Sequence, residues 1–240
     1  MEPKMNKIPK VYDILLNEFG AQGWWPVTPS CCTDSFKKPI YGVKTRTNKQ
    51  RFEIIIGAIL TQNTSWKNVE KAIENLNKAN LIDVDNILKL ELKRLAMLIR
   101  PSGYFNQKAE RLKIIANFIK DYGFDNLKKT DTSQLREKLL DLKGIGSETA
   151  DSILLYAFDR PIFVIDAYTK RIFERLGHKA KSYDEWQTLF MDNLPKDISL
   201  FNEYHALLVE LAKRNCKKIP ICLGCPIKNM CVQKQKSLNN

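Results

Sequence analysis

The sequence predicts an all-α protein, and three observations support this fold class. Apolar residues recur in steps of three and four, as in Leu135, Leu139 and Leu142, which places them on one face of a helix. Short breaker segments such as Pro101-Ser102-Gly103 and Tyr122-Gly123 separate the periodic stretches. No hairpin signal of the Asn-Gly type lies between them. We therefore expect helices joined by short connections.

Two segments require a choice of element or boundary. The segment from Arg51 to Leu60 is rich in isoleucine and could form a buried strand. Its length and the helical pattern after it favour a buried helix. Further along, Ser133 precedes the apolar run that starts at Leu135, and Glu137 follows shortly after. Because this order is typical of a helix start, we expect Ser133 to be the N-cap.

The chain is strongly basic: 39 Lys and Arg against 27 Asp and Glu give a formal net charge of +12. Such an excess suits a polyanion, either nucleic acid or an anionic membrane surface. No window has the roughly 18 unbroken apolar residues of a spanning helix, and the charged N-terminus lacks the apolar core of a secretion signal. We therefore expect a cytoplasmic protein with a nucleic-acid partner and no membrane, although charge that serves only solubility gives the same composition.

Four of the six cysteines are clustered near the C-terminus. A tight cluster in an intracellular chain binds metal more often than it forms disulfides. Four thiolates can hold either a zinc ion or an iron–sulfur cluster, and their spacing alone does not separate the two. We assign no role to Cys31 and Cys32, which are adjacent near the N-terminus. The predicted metal ligands are Cys216, Cys222, Cys225 and Cys231.

Between two helical stretches, the segment from Leu142 to Ala150 has two glycines around one isoleucine. Glycines permit a tight turn with open backbone amides, and amides beside a helix N-terminus bind phosphate. Such contacts position DNA without reading its bases. The plainer alternative is a helix–turn–helix connection with a glycine C-cap. The predicted DNA-binding residues of this turn are Lys143, Gly144, Ile145, Gly146 and Ser147.

Further along, Asp166 stands between an apolar stretch and a new helix, where an aspartate is most often an N-cap. The whole stretch from Leu142 to Gly177, however, resembles the helix-hairpin-helix, Gly/Pro-rich loop and aspartate of the endonuclease III superfamily of DNA glycosylases. In that superfamily this aspartate is catalytic, so the resemblance implies a catalytic Asp166. The target nucleotide must leave the double helix to reach it. Gln62 and Asn63 match the loop that fills the resulting gap.

This resemblance runs from about Arg51 to Cys231 and implies an architecture and a cofactor. We expect two helical lobes: a helical barrel with the hairpin at 47–158, and a second lobe of 1–46 and 159–240. Superfamily members often end in four cysteines that hold a [4Fe–4S] cluster, and the loop 216–231 has similar spacing. The resemblance therefore favours a [4Fe–4S] cluster over zinc. It also implies a monomer that binds double-stranded DNA containing a damaged base.

Superfamily members that cleave the DNA backbone use a hairpin lysine as a Schiff-base nucleophile. Glu148 occupies the matching position, and a carboxylate cannot form an imine. We therefore predict a monofunctional glycosylase with weak or absent AP lyase activity. In it, Asp166 would stabilise an oxocarbenium-like sugar and orient water. Glu148 either assists or is only a first-turn acid that the helix dipole favours.

Three of the four tryptophans, Trp24, Trp25 and Trp66, bear on the choice of base. The usual place of a tryptophan is a partly buried core position. Yet the Trp24-Trp25-Pro26 segment, and an aromatic after Leu-Thr-Gln-Asn-Thr, resemble the endonuclease III-like 3-methyladenine DNA glycosylases. That resemblance implies a pocket for alkylated purines, which are cationic and attracted to aromatic faces. The alternatives are oxidised pyrimidines, mismatched thymine or uracil, and, in another class, a non-catalytic DNA-binding module.

Overall fold

The computed structural model of this chain describes residues 7–29, 39–43 and 47–232. Its regular elements over those residues are helices, and Val27 and Ile40 form an isolated antiparallel bridge. The predicted all-α class is therefore confirmed. Within the same ranges, no helix is both long and apolar enough to cross a membrane. In chain order the helices are α1 Lys7–Phe19, α2 Asn48–Leu60, α3 Trp66–Lys78, α4 Val84–Lys89, α5 Leu92–Leu98, α6 Phe105–Tyr122, α7 Phe124–Lys129, α8 Thr132–Leu140, α9 Ser147–Ser152, α10 Ala167–Arg175, α11 Tyr183–Met191 and α12 Ile198–Arg214.

The chain divides into two compact units. The described part of the terminal unit comprises residues 7–24 and 161–232, and the central unit lies within residues 25–160. The first boundary thus falls after Trp24, whereas the sequence suggested one before Thr47. Hydrogen bonds explain the difference. The carboxyl of Glu53 on α2 accepts bonds from the amide and hydroxyl of Thr28, and the Gln50 side chain donates to the Thr28 carbonyl.

Helix α2 forms the core of the central unit, and the prediction of a buried helix there is confirmed. Thr47 caps it through a capping box with Gln50, which satisfies amides that the first turn leaves open. From Phe52 to Leu60 every residue is buried. Helices α3, α6 and α9, and the π-helical turn Ile153–Ala157 that continues α9, pack around α2. This explains why α2 is apolar on all sides rather than on one.

The N-cap predicted for α8 is wrong by two residues. Asp131, with extended backbone, accepts hydrogen bonds from the amides of Ser133 and Gln134. Ser133 lies inside the first turn, and its hydroxyl donates to Asp131. An ionised carboxylate makes a stronger bond to helix amides than a hydroxyl does, so the helix begins earlier than the apolar pattern indicated.

A buried lysine joins two segments of the central unit. The ammonium of Lys108 on α6 donates to the carbonyl of Leu60, at the end of α2, and to that of Ser102, in the 3-10 turn before α6. Its side chain is almost fully buried. Burial, together with the nearby charge of Arg111, lowers the pKa of Lys108 to about 8. This residue therefore carries a proton at neutral pH at some energetic cost.

The terminal unit is built around α12, which packs on α1 and α10. Its core is aromatic: the rings of Phe163 and Phe190 stack with centroids 4.3 Å apart, and Phe201 and Tyr204 of α12 meet Phe163 edge-on. The buried hydroxyl of Tyr204 donates to the Ile8 carbonyl of α1 at 2.6 Å. The Ile8 carbonyl thus provides the acceptor that a buried tyrosine hydroxyl needs.

Replacing Lys108 tests the buried lysine. Lys108→Met is expected to lower the free energy of unfolding at neutral pH by about 1–3 kcal/mol, because two buried carbonyls lose their donor. In the wild type, the folded chain releases this proton at a lower pH than the unfolded chain. Stability should therefore rise with pH from about 8 towards the ordinary lysine pKa.

Urea unfolding at several pH values measures both effects, with the exposed Lys67→Met as the control. The proposed energetic role is contradicted if Lys108→Met is as stable as the wild type. It is also contradicted if the stability of Lys108→Met rises above pH 8 as much as that of the wild type and the control.

Candidate functional site

The turn between α8 and α9 is held in a glycine-dependent conformation. Gly144 has a φ of +87°, a left-handed conformation that residues with a Cβ disfavour. Gly146 has an extended backbone (φ −97°, ψ 176°) and is the N-cap residue of α9. Ile145 is buried between them, and its amide donates to the Leu142 carbonyl. Lys143 is exposed, Gly144 and Gly146 are also exposed, and Ser147 is half-buried at the start of α9.

Side chains from two other elements hold this turn. The Gln62 amide nitrogen donates to the Gly144 carbonyl at 3.1 Å and to the Thr149 hydroxyl at 2.9 Å, while the Gln62 oxygen accepts from Arg111. A Cβ on Gly144 would lie 2.3 Å from the Arg111 side chain. The side chain of Gln62 is therefore committed to the turn, whereas its neighbour Asn63 is exposed and has a left-handed backbone. Sequence reasoning did not predict the contact between Gln62 and Thr149.

Asp166 is the N-cap of α10 and is 8% exposed. Its Oδ1 accepts from the Thr169 amide at 2.6 Å, and Nε2 of His205 on α12 lies 3.7 Å from its Oδ2. Burial acts to raise the pKa of the Asp166 carboxyl, but the interactions with His205 and Thr169 outweigh it, so the pKa lies below its ordinary value. Asp166 is thus buried among polar partners as an ionised carboxylate. Sequence reasoning missed His205, although it is one of only two histidines in the chain.

Two of the three predicted pocket tryptophans meet in the central unit. The Trp25 indole is buried and makes edge-on contacts with Trp66 at 5.3 Å and with Tyr156 at 5.1 Å. It lies against Gly57 of α2, where a Cβ would come within 3.0 Å of the ring. Trp24 belongs to the terminal unit, and the ammonium of Lys213 lies 5.7 Å from its ring centre. The structure therefore shows Trp25 in contact with Trp66 and gives Trp24 a cationic neighbour.

A narrow recess beside these rings also carries two carboxyl groups. Glu53 is 2% exposed, and its Oε1 accepts both bonds from Thr28. Burial raises the pKa of Glu53 to about 7, although Thr28 and Lys49 act against that rise. The Trp66 indole nitrogen donates to Glu70 at 2.8 Å. The recess is closed to a water-sized molecule, so a larger ligand enters only if its walls separate. Its walls are Trp25, Pro26, Pro39, Glu53, Trp66, Glu70 and Ile73.

Neither carboxyl was predicted. A signal for Glu53 existed, because it is a lone acid within the isoleucine-rich segment of α2. In a helix that is buried on every side, such an acid needs a partner or a function. Glu70 lies one turn after Trp66 on α3, and nothing in the local pattern distinguishes it from other surface acids.

All four predicted cysteine ligands line one cavity of about 270 Å³ in the terminal unit. Arg175 of α10 donates to the sulfur of Cys216 at 3.1 Å, and its carbonyl lies 3.3 Å from the sulfur of Cys231. Burial raises the pKa of the Cys225 thiol, and the other three cysteines add to the rise.

The geometry of this cavity tests which group its cysteines suit. Over the described ranges, no three His, Cys, Asp or Glu side chains are close enough to hold a single metal ion. A cavity lined by four thiols fits a larger group in which each sulfur binds a different metal atom. The cysteine set is therefore compatible with an iron–sulfur cluster.

Comparison with known proteins identifies the family. The model of the HhH-GPD superfamily of base excision DNA repair proteins matches residues 56–196, which include the hairpin and Asp166. This chain belongs to that superfamily. A protein of Methanocaldococcus jannaschii, named as a candidate DNA repair glycosylase, is 48% identical to it and covers 97% of this chain and 99% of its own length.

Other proteins similar to this one are named for different enzymatic activities. Endonuclease III of Thermotoga maritima is 32% identical, over 75% of this chain and 82% of its own. The crystal structure of the H. pylori 3-methyladenine DNA glycosylase bound to 1,N6-ethenoadenine is 33% identical, with a TM-score of 0.67, and covers 88% of this chain and 96% of that one. The superfamily prediction is confirmed, and this HhH-GPD protein is a DNA glycosylase whose partner is DNA.

The two hairpin glycines provide a matched pair of variants. Gly144→Ala is expected to lower the free energy of unfolding by about 1–2 kcal/mol for the left-handed backbone alone, and more because Arg111 must move. Gly146→Ala, with ordinary φ and open space around it, should lower it by no more than about 1 kcal/mol, because alanine is a poorer N-cap than glycine. Chemical denaturation measures both. Equal effects at the two positions would show that neither the left-handed backbone of Gly144 nor its contact with Arg111 constrains the turn.

Proposed function

We propose that this protein is a monofunctional glycosylase that hydrolyses the N-glycosidic bond of alkylated purines, such as 3-methyladenine, in double-stranded DNA. The observation that carries the choice of substrate is the recess in which Trp25 and Trp66 lie with Glu53 and Glu70. The structure of the H. pylori 3-methyladenine DNA glycosylase, 33% identical to this chain, supports the same choice.

The charge of the substrate explains why these side chains suit it. Alkylation at a ring nitrogen leaves the purine of a nucleotide positively charged, and tryptophan faces attract cations. A carboxylate nearby adds a direct attraction, which is strong because the site is poorly solvated. A neutral base gains neither the attraction to the tryptophan faces nor the attraction to the carboxylate. The recess therefore favours a cationic base over its neutral counterparts, once the surrounding rings separate to admit it.

Asp166 is the proposed catalytic residue. The glycosidic bond of an alkylated purine is already weakened by the positive charge, so the reaction needs little acid catalysis. As the bond breaks, positive charge passes to the sugar, and an ionised carboxylate close to it lowers the energy of that state. Asp166 also accepts hydrogen bonds, so it can orient the attacking water. Its low pKa keeps it charged during this step.

Glu148 is the reason for proposing a glycosylase without strong lyase activity. It is exposed in the first turn of α9, where the helix dipole favours an acid. No amine stands at this position to form a Schiff base with the sugar. Three further points stay predictions: the hairpin contacts a DNA phosphate, Gln62 and Asn63 fill the gap that the extruded base leaves, and the protein is a monomer.

We also propose that the cysteine cavity holds a [4Fe–4S] cluster through Cys216, Cys222, Cys225 and Cys231. When bound, the cluster would cross-link a C-terminal segment that has few buried apolar residues of its own. Arg175 would place its positive charge and a hydrogen-bond donor beside the sulfur of Cys216.

Removing the charge of Asp166 tests the enzymatic class. Asp166→Asn keeps the hydrogen bond to the Thr169 amide, because asparagine is also a good N-cap. The variant should fold normally and bind DNA like the wild type, while base release falls by about 10²–10³-fold. Single-turnover excision and fluorescence anisotropy give the two readings. Release within a few-fold of wild type would exclude the catalytic role, and a wild type without any release would leave only a DNA-binding module.

A substrate panel tests the choice of base. Wild type should release 3-methyladenine and 7-methylguanine, both cationic in DNA, faster than neutral 1,N6-ethenoadenine. Glu53→Gln keeps the acceptor for Thr28 but loses the charge, and should lower the preference for cationic bases by about tenfold, or ~1.4 kcal/mol. Because Glu53 is ionised above about pH 7, the wild-type preference should also rise across that pH. The nearby charge of Lys49 acts against the rise in the pKa of Glu53.

Trp66→Ala should weaken excision of all purine substrates in the same panel. Release of only oxidised pyrimidines, or of only mismatched thymine or uracil, would contradict the alkylpurine proposal and leave the glycosylase assignment intact.

The cofactor is tested by purification and metal analysis. Wild type should be brown and contain about four irons and four sulfides per chain. Cys225→Ser should lose the colour and most of the iron, whereas Cys31→Ser, outside the described residues, should keep both. A colourless wild type with one zinc per chain would overturn the proposed cluster.

A further inference from the structure

The two oxygens of the Asp166 carboxylate face different partners within the terminal unit. Oδ1 accepts from the Thr169 amide of its own helix at 2.6 Å, and Oδ2 faces Nε2 of His205 at 3.7 Å. The exposed fraction is 11% for the Asp166 side chain and 13% for that of His205. A single hydrogen bond to one oxygen leaves the carboxylate free to rotate about the Cβ–Cγ bond, whose rotamer preference is weak. A polar group beside the other oxygen, here the imidazole of His205, limits that rotation.

The backbone that carries His205 is itself well anchored. The aromatic ring of Tyr204, the preceding residue, is fully buried and meets Phe163 edge-on. The following residues, Ala206 and Leu207, are buried as well. The imidazole therefore projects from a fixed point on α12 towards a fixed helix start at Asp166. This arrangement is preorganised, which is the condition under which a charged group stabilises a transition state most effectively.

We propose that His205 is a positioning residue, which orients the Asp166 carboxylate towards the sugar of the extruded nucleotide through the contact between Nε2 and Oδ2. The proposal rests on the catalytic role assigned to Asp166. His205 itself would not touch the substrate. Its loss should therefore slow the chemical step while leaving DNA binding unchanged.

Three variants at position 205 and one neighbour test this role. His205→Phe keeps the ring shape and removes the polar contact. His205→Gln places a donor at similar reach, and His205→Asn places one too short to reach Oδ2. Tyr204→Phe is the structural control, because it removes a buried hydrogen bond of the same helix without touching Asp166.

Single-turnover excision of 3-methyladenine and DNA affinity should be measured for each variant. His205→Phe should lower the rate by about ten- to a hundredfold, the order expected for a misplaced catalytic group, with DNA affinity within about twofold. His205→Gln should recover most of that loss, and Tyr204→Phe should keep the wild-type rate despite lower stability. A wild-type rate in His205→Phe overturns the proposal. So does a loss that Tyr204→Phe shares, or that His205→Gln and His205→Asn show equally.

An unfolding cycle separates this inference from the proposed function. The effects of His205→Asn and Asp166→Asn on the free energy of unfolding should be non-additive, because the asparagine at position 205 is too short to keep the contact between the two side chains. Additive effects would refute the contact itself. If wild type releases no base from any substrate, the proposed function fails, while the cycle still decides whether His205 and Asp166 interact. If His205→Phe does not fold, the comparison of His205→Gln with His205→Asn decides the outcome.

Discussion

A negative charge that is kept largely away from water, that of Asp166, is the constraint on which the proposed chemistry depends. Burial alone would favour the neutral carboxylic acid, because desolvation disfavours the charged form. A neutral group could not perform the proposed role. The helix start supplies a backbone amide at one oxygen, and α12 brings an imidazole to the other. A carboxylate held in this way has already lost its water and its freedom to rotate. It can therefore interact with a developing positive charge without a further reorganisation cost.

The hairpin of the central unit is likewise held in one conformation by side-chain contacts. Gly144 adopts a backbone that a side chain would disfavour, and the space its missing Cβ leaves is occupied by Arg111. Gln62 links Arg111 to the turn, so the loop after α2 and the hairpin are braced by one hydrogen-bonded group. A turn that is braced before DNA arrives loses little conformational entropy on binding a phosphate.

The recess beside Trp25 has the opposite charge character to the chain as a whole. The protein carries a net charge of +12, yet two carboxyl groups stand beside the tryptophan rings. In a DNA-binding protein, acids repel phosphate, so their presence beside aromatic faces needs a cationic ligand or a structural reason. The bonds from Thr28 to Glu53 supply part of a structural reason. The proposed cationic base would supply the other part.

Through its resemblance to the endonuclease III superfamily the sequence singled out Asp166 as the candidate carboxylate, and by local patterns alone it determined the helical class, the buried nature of α2, the glycine-dependent hairpin and the cysteine set. These features depend on residues close together in the chain, where periodicity and spacing are visible. Tertiary structure decided the partners: His205 beside Asp166, Arg111 against Gly144, and Arg175 beside the cysteine sulfurs. It also decided that Asp131 rather than Ser133 caps α8, since both residues fit a helix start and only the backbone conformation chooses between them. Contacts between distant residues arise from packing, and no local pattern encodes which side chains packing brings together.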